Sequence, residues 1–360
     1  MRFRVICHIV LVIALGLFCN GCGSAAQENW QTTTMWEAGV KLERVIIGDV
    51  DGDHKRNEVL VLSQDGRVVL ITGTGTMWDS KVLWKHTGKL YGAAIGDLDK
   101  EHEGNEVFVG GEGGTVEMIY PDSLQHKTIF DKGVSIHGLA VGDVKENFAG
   151  KELVAVDNSG QAFVIYKDTG IWKSEEIYRD SKRLRDVIVA DLDFSHYGDE
   201  MLVVGSSGNT TLLWEQNNDW KHKIIWKASN GLGRITCGKI KEDQNSFRVA
   251  IAGDSGEVTI LERIGGYWEG KVIFQDSDQL RGIAIGDVYP LSEGNEVISF
   301  GYSGNVVVLY HENDGWNSII AWTDTDKAHG LACGEFDGSN ELDEIVAVGY
   351  SKKTTKISYE

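Results

Sequence analysis

Past its first thirty positions the chain is a succession of short apolar runs broken by polar, glycine-containing turns. Nowhere does it hold the 3.6-residue apolar spacing of an amphipathic helix. Runs such as Gly92-Ala-Ala-Ile-Gly96, Glu106-Val-Phe-Val-Gly110 and Val306-Val-Val-Leu-Tyr310 have the length and the β-branched or small residues of buried strands. The dipeptides Ser159-Gly160, Ser207-Gly208, Ser255-Gly256 and Ser303-Gly304 punctuate them as tight turns.

The pattern is also periodic. Ile47-Gly-Asp-Val-Asp, Ile95-Gly-Asp-Leu-Asp, Val141-Gly-Asp-Val, Val189-Ala-Asp-Leu-Asp, Cys237-Gly-Lys-Ile, Ile285-Gly-Asp-Val and Cys333-Gly-Glu-Phe-Asp recur every 46 to 48 residues. Trp30, Trp78, Trp172, Trp220, Trp268 and Trp316 lie on the same grid, each followed six residues later by an aromatic; the second repeat has Leu124 before Phe130. An even spacing of six predicts both aromatics on one face of the strand that carries them. Each repeat holds four strand-like pieces, which predicts a propeller blade. The seventh repeat runs out after its third strand at Tyr359-Glu360, and an orphan fourth strand, Trp30 to Trp36, precedes the first. The expected fold is therefore all-β: a seven-bladed β-propeller whose N-terminal strand completes the last blade, leaving no exposed sheet edge.

Composition adds little but excludes something. There are 44 glycines and 2 prolines, as many tight turns require, and the net charge is −19. Nucleic acid is not an expected partner of so acidic a chain, nor is a bare anionic lipid surface. The N-terminus differs from the rest: Met1-Arg-Phe-Arg4, an apolar run from Val5 to Phe18, then Cys19-Asn-Gly-Cys22-Gly-Ser-Ala-Ala. The run is short for a membrane span and reads as a signal-peptide core. Gly21-Cys22 resembles a bacterial lipoprotein junction, which implies cleavage after residue 21 and acylation of Cys22. A plain secretory signal cut near Ala25-Ala26 is the alternative. The expected organisation is a signal over residues 1–22, a linker over 23–29 and the propeller over 30–360. The mature protein would be a monomer outside the cytoplasm, on the outer membrane or cell surface through its lipid, or else periplasmic or secreted. Cys237 and Cys333 stand where other repeats have Ile or Val, so small buried hydrophobes are expected there rather than a disulfide.

The first repeat carries Asp49-Val-Asp-Gly-Asp53-His-Lys-Arg-Asn57-Glu58, with carboxylates at alternate positions of a glycine-containing loop. Hard cations take several oxygens from flexible loops of this kind. Here the chain resembles the FG-GAP/VCBS repeat proteins, whose propeller blades carry Asp-x-Asp-x-Asp-Gly loops that often bind calcium. The resemblance implies a calcium site at Asp49, Asp51 and Asp53, closed by Asn57 or Glu58. His54 stands where that family commonly has glycine, which leaves the closing ligand open. The other loops are degenerate, and in the fifth Lys239 and Arg248 replace both the leading and the closing acid. That blade must fold without a metal, so the repeated acids are read first as loop-shaping groups bonded to backbone N–H donors.

A non-repeating set lies at the entrance to each first strand. Six residues before the loop aspartate stand Glu43, Tyr91, His137, Arg185, Gly233, Arg281 and His329; one residue later come Arg44 and Arg234. Seven blades in register would gather these at one channel mouth. Arg44, Tyr91, His137, Arg185, Arg234, Arg281 and His329 are the candidate ligand-binding residues, suited to an acidic glycan, a peptide or a protein loop. The competing reading pairs the arginines internally with Asp186, Glu43 or neighbouring loops. No nucleophile elbow, His-x-x-x-His pair or inserted loop breaks the repeat, so a non-catalytic binding module is expected. The alternative is a propeller enzyme acting on acidic polysaccharide, a lyase or dehydratase, with His137 or His329 as base and Arg185 or Arg281 on the substrate's carboxylate.

Overall fold

The computed structural model describes residues 29–51, 56–192, 196, 198–240, 247–313, 315–338 and 342–360. The signal segment with Cys22, and Asp53 of the first loop, lie outside them. The described chain folds into seven four-stranded antiparallel sheets. Blade one comprises Leu42–Gly48, Glu58–Ser63, Arg67–Thr74 and Met77–Lys85 in that order. Blades two to six repeat it. Blade seven takes three strands from the C-terminus, Ala328–Gly334, Glu344–Gly349 and Lys353–Tyr359, and its fourth, Trp30–Glu37, from the N-terminus. The closing ladder runs from Trp30 opposite Tyr359 to Glu37 opposite Lys353, as the end-matching predicts.

Six of the seven second strands are buried along their whole length (Glu58–Ser63, Glu106–Gly111 and Glu296–Gly301 among them), because both faces of every sheet lie against a neighbouring blade. This explains their continuous apolar runs, which would otherwise suggest a parallel sheet. The core is accordingly divided among the interfaces between blades rather than gathered in one centre. First strands approach so closely that most end on a glycine facing the next blade. A Cβ at Gly142 would lie 2.1 Å from Val189 Cγ1. Where Ala190 replaces that glycine, the opposing side chain in the same cluster is Cys237. Cys237 and Cys333 are free thiols, as expected, but half-buried rather than buried.

The structure corrects the reading of the aromatic pairs. Trp78 packs toward blade seven, 5.7 Å from Phe336 between ring centroids, whereas Trp84 packs toward blade two, 5.5 Å from His126. The pair therefore bridges both interfaces instead of sharing one face. The cause is a β-bulge in every fourth strand: Val68 pairs with Trp84 but Val69 with Val82, so Leu83 is an extra residue and the alternation inverts there. Trp220 and Trp226 divide in the same way between two interfaces, as do Trp316 and Trp322.

Candidate functional site

The strands place the two candidate regions at opposite ends of the channel: the acidic loops join first strands to second, and the rim precedes the first strands.

At the loop end the closing glutamate is primarily an architectural group. Glu58 Oε2 accepts the Val50 N–H at 2.7 Å, Glu106 Oε2 those of Leu98 and Asp99, Glu152 Oε2 that of Val144 at 2.8 Å, and Glu296 Oε2 those of Val288 and Tyr289. Arg248, its replacement in blade five, turns to Glu262 at 2.6 Å. Burial pushes the carboxyls of Glu58, Glu152 and Glu296 up to about 7, against the bonds from backbone N–H groups that favour the anion.

A pH dependence follows from Glu152 and Glu296. Unfolded, these groups titrate near 4.5. Between that value and about 7 the native state holds the extra protons, so their contribution to stability falls as pH rises through the window. Each ionisation costs on the order of 3 kcal/mol in the folded state above it. Melting temperature is expected to drop between about pH 4.5 and 7, and to drop less in Glu152→Gln. A slope unchanged by Glu152→Gln would remove this assignment.

Asp49, Asp51 and Glu58 bring carboxylate oxygens within 4.8 Å of one another, as do Glu335, Asp337 and Glu344 in blade seven. Asn57 is tied across the interface: its side-chain amide N–H donates to the Glu335 carbonyl of blade seven at 2.9 Å. Asn105 does the same to Asp49 O of blade one at 2.7 Å, and Asp199 is tied to blade three by its backbone N–H, which donates to Asp143 O, and by its carboxylate, which accepts the Asp143 N–H. The residue before the closing glutamate is thus a stitch between blades. Elsewhere an ammonium meets the acids: Lys356 contacts Asp337, and Lys167 lies 2.6 Å from Asp99 and 2.8 Å from Glu101.

At the other end, every first strand carries a β-bulge at its entrance. Leu42 pairs with Ser63 and Arg44 with Leu62, which leaves Glu43 as the extra residue; Tyr91, His137, Arg185, Gly233, Arg281 and His329 are extra in the other six. The bulge explains why two consecutive residues, Gly233 and Arg234, can both border the channel. A cavity of about 220 Å³ opens there, lined by Tyr91, His137, Arg185, Arg234, Arg281 and His329 together with Glu43 and Gly233. Arg44, the remaining candidate, is drawn into an ion pair with buried Asp186 of blade four at 3.0 Å. Four blades carry glycine at the position that holds Arg44, Asp186 and Arg234 in the others, and those three side chains gather about the channel axis.

Two cavity residues, Arg183 and Tyr302, are not among the candidates read from the sequence. Tyr302 belongs to a second ring, Gln64, Glu112, Asn158, Ser206, Asp254, Tyr302 and Tyr350, whose N–H groups bond carbonyls two residues before the rim, as Gln64 does to Lys41 and Asp254 to Gly231. Its trace in the sequence is a polar residue on the 48-residue grid just after each second strand.

The mouth is electrically divided. On the side of blades four to six, Asp254 lies 2.9 Å from Arg185 and 3.0 Å from Arg281, and although burial works the other way these two hold its carboxyl below the ordinary carboxylate value. Arg183 bonds Ser206 Oγ at 2.8 Å, and Arg234 bonds the carbonyls of Gly233 and His329. Burial, then Arg44, brings the Arg234 guanidinium down to about 10. On the opposite side Glu43 accepts from His329 Nδ1 at 2.9 Å and Gln64 at 2.5 Å, while His329 Nε2 faces Tyr350 Oη at 3.1 Å and Tyr302 Oη at 3.4 Å. His137 stacks on Tyr91 at 4.6 Å, and burial followed by the fields of Arg183, Arg234 and Arg185 brings its imidazole down to about 4. It is neutral at pH 7.

No family model matches the chain, and no curated protein matches it. Among solved structures it is similar to the WD40 β-propeller domain of Doa1, with a TM-score of 0.65 at 14% identity over 92% of this chain and 97% of that one. At this identity the likeness speaks for architecture alone. The chain folds as a β-propeller of seven four-stranded blades.

Proposed function

We propose that this propeller is a non-catalytic extracytoplasmic binding module, held at a membrane by a lipid on Cys22, that takes its ligand at the channel mouth. The observation that carries this reading is the cavity of about 220 Å³ where Arg183, Arg185, Arg234 and Arg281 converge in a protein of net charge −19. Loops and bulges held by a rigid ring are where binding residues concentrate. The ligand is an acidic glycan, a peptide or a partner's loop. Loss of binding in Arg185→Ala plus Arg281→Ala, on a glycan array and in pull-downs with folded protein, is the expected result; unchanged binding would remove the mouth as the recognition site.

A second reading is favoured by one feature, the chain Glu43–His329–Tyr302/Tyr350. A carboxylate that orients an imidazole whose other nitrogen faces a phenol is an acid–base relay. Release of unsaturated sugars from acidic polysaccharide, lost in Tyr302→Phe, would establish the enzyme.

Calcium in the first loop is part of the proposal, held by Asp49, Asp51 and Glu58, the acids that converge there. Its role would be structural. Bound calcium in the purified protein and a lower melting temperature in EDTA are expected; no bound metal and no shift would exclude it.

A further inference from the structure

The proposed mouth leaves open which chemistry it selects, and three observations narrow it. The first is a charge count. Blades four to six present four guanidiniums to the cavity, Arg183, Arg185, Arg234 and Arg281, and one carboxylate, Asp254, lies against two of them. Arg183 and Arg234 make no ion pair among the described residues; their bonds go to a hydroxyl and to carbonyls. A partly desolvated guanidinium whose hydrogen bonds go to neutral acceptors retains attraction for an anion, and the field of Asp186 on Arg234 is shared with Arg44, the residue Asp186 pairs with.

The second observation concerns the aromatics, whose faces are already in use. Tyr91 is covered by His137 at an interplanar angle of 3°, Tyr350 by His329 at 4.9 Å, and Tyr302 carries Arg281 and Lys327 over its ring. A neutral sugar stacking on a bare ring is therefore poorly served here. The third is polarity: Glu43 and Glu112 lie on the side of blades seven, one and two, bonded to His329 and Tyr91. Negative charge is repelled from that side and drawn to the other.

We infer that the channel mouth is a receptor for a multivalent oxyanion, a sulfate, a phosphate or a cluster of carboxylates, gripped by Arg183, Arg185, Arg234 and Arg281. This rests on the reading of the mouth as the binding site and names its ligand class. The cavity has room for such a group and a short stem, several times the roughly 30 Å³ share of one water. The anion enters beside Arg183 and reaches Arg234, while Asp254 holds Arg185 and Arg281 oriented for it. His137 lies within the same field and supplies the reporter: an anion between the arginines and the imidazole relieves the positive potential, so its protonation shifts toward neutral pH.

The test is titration calorimetry on the intact mature protein at low ionic strength, with inorganic sulfate, inorganic phosphate, chloride and a neutral oligosaccharide, repeated with a sulfated oligosaccharide. Sulfate or phosphate is expected to bind in preference to chloride. Arg183→Ala, which removes only a rim side chain, and Arg234→Gln should each weaken binding roughly tenfold to a hundredfold, the range for hydrogen bonds to charged groups. Asp254→Asn should strengthen it several-fold by removing the competing internal carboxylate; a purely internal network would show only a lower melting temperature. The His137 imidazole resonance should titrate higher with anion bound. Tighter binding of the sulfated oligosaccharide than of the free ion identifies the ester as the source, and equal binding identifies the free ion; either supports the receptor. Neutral oligosaccharide binding that is lost in Arg185→Ala, with no response to sulfate or phosphate, overturns the oxyanion assignment and leaves the mouth as a binding site. Binding of nothing in any arm overturns both.

Discussion

Deletion of residues 29–37 is expected to abolish the folded monomer. These residues supply the whole fourth strand of blade seven, paired from Trp30–Tyr359 to Glu37–Lys353. They also bring the aromatic closure of the interface between blades six and seven: Trp30 is 7% exposed, edge-on to Tyr359 at 5.2 Å and stacked over Tyr289 at 6.4 Å. Met35 and Trp36 fill the following interface, against Val346 and Val348. Trp30→Ala alone should cost about 3–5 kcal/mol, the range for emptying a buried large aromatic site. Deletion adds an unpaired edge along Lys353–Tyr359, a template for association between chains. Size-exclusion chromatography with light scattering should find the deleted protein aggregated or dimeric, and circular dichroism should show a much lower melting temperature. A monomer melting within a few degrees of the full chain would mean that the ring does not depend on this closure.

Asp186→Ala is the second large effect, and it probes the channel rather than the ring. Asp186 is 2% exposed, 3.0 Å from Arg44, and accepts the Ile235 N–H at 3.4 Å. Its removal leaves Arg44 and Arg234, two like charges, without their shared counter-charge in a confined space. Truncating one partner of a buried pair costs about 3–5 kcal/mol, whereas replacing the pair by apolar groups of similar size is often neutral or stabilising. Urea melts of Asp186→Ala and of the double variant Arg44→Met, Asp186→Leu should separate these cases: a large loss in the first, little or none in the second. A loss below about 1 kcal/mol in Asp186→Ala would show that water already compensates the guanidiniums.

The repeat, the blade count and the closing strand were legible in the sequence because each depends on residues recurring on a grid. The faces of the aromatics were not, since two adjacent apolar residues, Leu83-Trp84 or Ile225-Trp226, admit either a strand with one buried neighbour or a bulge. Only the pairing across to the third strand decides. The same device hid part of the site. Seven rim positions were found because they do not repeat chemically while their surroundings do. Their bulged geometry, and the partners on the second ring, Asp254 and Tyr302 among them, depend on how the first strand's entrance lies against the second strand's exit. Asn57 carries a role that the sequence pattern does not show: its amide N–H reaches across to the preceding blade.

The most direct measurement of the central claim is a crystal of the mature protein grown with selenate, an anomalous scatterer that mimics sulfate and phosphate. An anomalous peak is predicted in the mouth, within hydrogen-bonding distance of Arg183, Arg185, Arg234 or Arg281, and absent in Arg185→Ala plus Arg281→Ala. Selenate found only on surface lysines, with the mouth filled by water, would contradict it.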